Sequence, residues 1–84
     1  MGNRHVCDVR LLAAGIINSF PTATHLWNLA ERFSTLSDED FTRQSEEFGR
    51  VCRVEGIVTG ERLDRLLTAF RLYRLAIRRE TAAT

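Results

Sequence analysis

Eighty-four residues allow one domain at most, spanning 1–84, and a chain this short buries a modest share of its surface, so its stability margin is thin. Hydrophobic residues at 44%, charged residues at 27% and a single proline exclude a disordered tail. A net charge of +1 excludes a global field that would draw in nucleic acid or an anionic membrane.

Four segments carry helical spacing and none carries sustained alternation of period two. The first runs from about Val6 to Ser19, with Val9, Ala13, Ile16, Ile17 and Phe20 on one face. Pro21 disfavours helix in the residue before it, so Phe20 marks the break. The second runs from about Ala23 to Thr35 with Thr22 as its N-cap; its stripe is Leu26, Leu29, Ala30 and Phe33, and Trp27 points off that stripe.

The third segment has the clearest start signal. Ser37 can cap through its hydroxyl, Asp40 holds the return position of a capping box, and Leu36 and Phe41 hold the positions of a hydrophobic staple. Asp38, Glu39 and Asp40 match the positive end of the helix dipole. The core face then reads Phe41, Ser45, Phe48 and Cys52, whose small members suggest a closely approaching helix, and Gly56 is a left-handed stop. The fourth begins at Thr59, with Val58 and Leu63 as staple positions, and runs to about Arg79. Leu63, Leu66, Leu67, Phe70, Tyr73 and Ile77 build its wide apolar face. Residues 1–5 and 80–84 should fray. Short loops favour antiparallel neighbours, so the expected fold is all-α: a compact bundle of four short helices, with a three-helix bundle as the fallback.

The residues that could carry chemistry are few. His5, Cys7, His25 and Cys52 are the soft metal ligands, and only His5 and Cys7 are close in sequence, which is not the paired spacing of a zinc site. Cys52 reads as a small packed hydrophobe, and no base is evidently fixed beside Cys7. The five glycines are scattered and form no phosphate loop. The chain is therefore expected to be no enzyme and to use no metal or cofactor.

Two cysteines are fewer than a disulfide framework needs. The first apolar stretch is too short and interrupted for a signal peptide, and Val6 stands where a myristoylation motif at Gly2 wants Ser or Thr. No run approaches the roughly 20 apolar residues of a membrane span. The expectation is a cytoplasmic protein that does not enter a membrane.

Partner chemistry is concentrated on the last helix. All twelve basic residues are arginine, and Arg71, Arg74 and Arg78 share one flank at i, i+3 and i+7. Such a flank either binds phosphate or an acidic protein surface, or pairs with the acids of the third helix. Leu72 and Leu75 lie opposite the main stripe, Leu11 lies off the face of the first helix, and Trp27 off that of the second. Several such residues in one short chain point to a wrapped core or to an interface. Glu55 to Gly60 has the size of a helix-turn-helix turn, but Glu61 and Asp64 would meet phosphate repulsion at the start of a recognition helix.

Thr22-x-x-x-Leu26 followed by Leu36-Ser37-Asp38-Glu39-Asp40-Phe41 resembles the middle of the haemolysin-expression-modulating family, small helical proteins that bind a nucleoid-structuring protein. The resemblance covers less than a third of the chain, the later helices do not follow it, and it assigns no residue a role.

The functional expectation is a small adaptor or regulator that binds another protein, of the inhibitor or antiactivator type found on mobile elements. Arg71, Leu72, Arg74, Leu75, Arg78 and Trp27 form the expected contact surface, with self-association as a dimer through the fourth helix. The alternative is a DNA-associated transcriptional regulator, acting directly or through a partner.

Overall fold

Three short breaks divide the chain into α1 (Asn3–Asn18), α2 (Ala23–Ser34), α3 (Asp38–Glu55) and α4 (Gly60–Ala83). The computed structural model describes residues 3–83, and side chains for 8–82. Among these residues there is no strand, and the fold is an all-α bundle of four helices.

Local chemistry sets most of the boundaries. The Ser37 hydroxyl accepts the Asp40 amide at 3.2 Å, and Leu36 packs on the core beside the buried Phe41, as a staple requires. The Asp40 carboxylate does not return to close a capping box; it accepts from Arg43 one turn on. At the other end of α3, Gly56 takes φ 67°. Its amide bonds to the Arg53 carbonyl, and the Ile57 amide bonds to that of Cys52, the paired bonds of a Schellman stop.

Three expected boundaries are corrected. Thr22 makes no side-chain cap on α2; its carbonyl accepts the Leu26 amide at 3.1 Å. The last residues do not fray at position 80: α4 continues to Ala83, because Glu80 is tied to Arg10 of α1 at 2.8 Å. Residues 3–5, expected to fray, are helical, since α1 begins at Asn3 and not near Val6; the expectation for residues 1, 2 and 84 lies outside the described residues.

α4 is the axis of the molecule. Its 24 residues, about 36 Å at the rise of an α-helix, account for most of the 43 Å long dimension. Arg10 lies over the Tyr73 ring while Arg62 lies over Phe20, so α1 runs antiparallel to α4. α3 runs antiparallel too, on another flank, with Asp38 at Arg74 and Gly49 beside Leu67. α2 closes the core between them through Phe33, which meets Phe41, Phe48 and Phe70 edge-on. Each such pair contributes about 0.5–1.5 kcal/mol beyond its buried area. Ala69 and Ala76 are fully buried, small enough for neighbouring helices to approach α4 closely.

Candidate partner-binding surface

The six residues expected to form one contact surface divide between core and solvent. Trp27 is half-buried; its ring packs edge-on against Tyr73 at 5.3 Å and its indole nitrogen donates to Asn18 Oδ1 at 2.8 Å. Leu72 is half-buried and packs against the core. Arg74 is 9% exposed, the one buried charged residue among those described. Arg71, Arg78 and Leu75 remain at the surface, Leu75 at 39%.

The arginine flank is partly consumed by the acids of α3. Arg74 donates to Asp38 Oδ1 at 2.7 Å and to the Leu36 carbonyl at 2.8 Å, and its guanidinium lies 4.9 Å from the centre of the Phe41 ring. Arg78 reaches the same carboxylate oxygen at 3.3 Å. The Arg74 hydrogen bond, then the two positive charges, hold the Asp38 carboxyl below the usual carboxylate range.

Arg71 belongs to a different arrangement. It lines a groove of about 390 Å³ between α3 and α4, together with Arg53, Arg74, Ser45, Gly49 and Leu67. Thr42, Phe41, Asp38 and Glu46 complete the lining. Of the two small residues expected to admit a closely approaching helix, Cys52 is buried whereas Ser45, with Gly49, lines the groove. Arg53 folds back over it: a Cβ placed on Gly49 would lie 3.5 Å from Arg53 Nη2 and from Leu67 Cδ1. No carboxylate among the described residues pairs with Arg53 or Arg71. Two further polar atoms beneath this surface, Ser45 Oγ and Arg74 Nε, are buried without a hydrogen-bond partner.

The chain matches no protein-family model, no curated protein and no solved structure.

Arg53, Ser45 and Gly49 escaped sequence reading as a site, although they recur every four residues and so share one face of α3. What that spacing lacks is the antiparallel register, which alone sets Arg53 opposite the stretch of α4 that holds Leu67 and Arg71. The other expected features are placed as follows. Cys52 is a buried free thiol whose pKa burial pushes up, while the side chains of His5 and Cys7 lie outside the described residues. No three metal-ligating side chains come together among the described residues. Leu11 and Leu12 of α1 stand 67% and 58% exposed, and Arg62, at the start of a would-be recognition helix, is engaged with Phe20. No described helix is long and apolar enough to cross a membrane.

Proposed function

We propose that this chain is a non-enzymatic adaptor or regulator that acts by binding another protein, and that the α3–α4 groove receives an acidic segment of that partner. The observation that carries this reading is the pair Arg53 and Arg71, two exposed guanidiniums lining one groove from two helices with no carboxylate on either. Arg43, Arg50 and Arg10 are matched with Asp40, Glu47 and Glu80, whereas Arg32, Arg65 and Arg79 have no carboxylate partner but lie outside this groove. Guanidiniums are weakly hydrated and bind carboxylates in a two-pronged fork, so they suit a polar interface that also offers apolar contact. Phe41 and Leu67 offer that contact here.

Simple arithmetic disfavours a dimer held through α4 alone. Leu72 already packs on the core, which leaves Leu75 as the apolar anchor of a dimer through α4. Leu75 has 39% of its surface left to bury, worth about 0.6–1.2 kcal/mol per chain on the usual leucine scale. Two copies fall short of the roughly 4–15 kcal/mol that association costs. The cytoplasm, where a free thiol such as Cys52 stays reduced, is the proposed compartment.

The test is affinity capture from the protein's own cells with wild type, an Arg53→Gln/Arg71→Gln variant, and an Arg32→Gln/Arg79→Gln control outside the groove. A protein retained by wild type and control and lost by the groove variant supports the reading. Capture that ignores the groove variant overturns it. Retention that vanishes with nuclease and falls steeply with salt would instead favour the DNA-associated regulator.

A further inference from the structure

We infer that the outer face of α1 is a self-association surface, on which a second copy of this chain packs antiparallel about a two-fold axis near Ala13. This face shares no residue with the lining of the α3–α4 groove, and association through it does not depend on what that groove binds.

α1 buries Ala13 and Ile17 completely against the core. Asp8, Leu11, Leu12, Gly15 and Ser19 fall on the opposite side, within about 100° of arc at 3.6 residues per turn. The solvent side of a surface helix is ordinarily polar. Here it carries Leu11 at 67% exposure and Leu12 at 58%, side by side, where α4 offers Leu75 at 39%. Adjacent exposed leucines between charged ends mark an interaction site.

The relief of the face is complementary to itself. Leu11 and Leu12 border a hollow of about 270 Å³ that runs over Gly15 and Ile16 to Ser19 and to Arg65 of α4. Gly15 stands inside α1, where glycine weakens a helix, and a Cβ placed on it would meet nothing within 4 Å. No contact within the chain calls for the missing methyl group; a second helix lying close against α1 does. An axis near Ala13 sets Leu11 of each copy over Gly15 of the other, so ridge enters hollow twice. On its other side Leu11 borders a hollow of about 400 Å³ that reaches Trp27 and Glu31 of α2, which widens the contact beyond one helix pair.

Charge fixes the antiparallel sense. Asp8 lies at one end of the face and Arg65 at the other; both are exposed, and neither has an ion-pair partner among the described residues. The rise from Asp8 to Ser19, about 16 Å, separates the two ends within one copy. The same axis brings Asp8 of each copy to the Arg65 end of the other and forms two intermolecular pairs. A parallel arrangement would set like charges together.

Sedimentation equilibrium of the full chain across micromolar concentrations tests this, with wild type expected as a dimer. Gly15→Leu should keep or raise the denaturation midpoint, because its side chain meets no neighbour within the chain, and yet weaken association about tenfold or more by filling the hollow. Asp8→Arg and Arg65→Asp should each weaken association several-fold. An equimolar mixture of those two variants should dimerise more tightly than either alone, because both crossed pairs are then opposite in sign. A monomeric wild type, a folded Gly15→Leu variant that dimerises as well as wild type, or a mixture no tighter than its separate components would each overturn the inference.

Discussion

Arg74 and Asp38 form an asymmetric pair: the arginine is buried, whereas the carboxylate it holds at 2.7 Å leaves 82% of its side chain in water. The asymmetry predicts which partner matters more. Removing Arg74 takes away the donor to the Leu36 carbonyl as well as to Asp38, and with it a packed aliphatic stem over Phe41. Arg74→Ala should therefore lower unfolding free energy by about 1.5–3 kcal/mol, the range for a hydrogen bond to a charged group, read from urea denaturation.

The same pair predicts a pH dependence. The folded-state pKa of Asp38 is depressed, chiefly by the Arg74 hydrogen bond. A depressed carboxyl contributes stability that is fully present above its unfolded pKa of about 3.9 and is lost as pH falls through the lower folded value. Asp38→Asn should thus be less stable than wild type at neutral pH, and the difference should shrink below about pH 4. Parallel acid-denaturation curves for the two proteins would show that the pair does not titrate this way.

Ser37→Ala should cost roughly 0.5–2 kcal/mol, the range for a lost N-cap, because its hydroxyl satisfies the Asp40 amide. An unchanged denaturation midpoint would mean that α3 does not depend on this cap.

Such features were legible in the sequence because they are local: Ser37 and Gly56 act on residues within one or two turns, and hydrophobic spacing counted the helices correctly. Trp27 and Arg74 were not legible for the opposite reason. Each lies at the margin of its own helical stripe, and only a neighbour from another helix covers it: Tyr73 and Asn18 for Trp27, the α2–α3 turn for Arg74. The hydroxyl of Thr22 had the right chemistry, but its backbone takes φ −100° and ψ 34°, away from the extended conformation that lets Ser37 cap. The groove needed two helices in register before Arg53 and Arg71 could be associated.

Gly49 offers a gain in stability. It is buried in the middle of α3, where glycine costs about 0.5–1 kcal/mol relative to alanine. An added Cβ would meet Leu67 Cδ1 and Arg53 Nη2 at 3.5 Å, ordinary contact distances. Gly49→Ala should raise the denaturation midpoint by an amount equivalent to about 0.5–1 kcal/mol. A lowered midpoint would show that the groove floor tolerates no methyl group.

Leu72 and Leu75 should respond oppositely to the same change. Leu72→Glu buries a carboxylate against the core and should destabilise by about 2 kcal/mol or more, whereas Leu75→Glu, nearer the solvent, should stay within about 0.5 kcal/mol of wild type. Thermal unfolding of the two single variants separates them. A large loss from Leu75→Glu would mean that this face of α4 is covered.

The chain contains one tryptophan and one tyrosine, and they are neighbours, Trp27 against Tyr73 with ring centroids 5.3 Å apart. Light absorbed by the tyrosine passes to the indole at such short range, so the folded protein emits almost wholly as tryptophan. Because Tyr73 belongs to α4, Trp27 to α2 and its hydrogen-bond acceptor Asn18 to α1, that emission reports the junction of three helices at once. The molecule therefore carries its own optical gauge of assembly, with no label required, and α3 can be loosened or occupied without directly touching either chromophore.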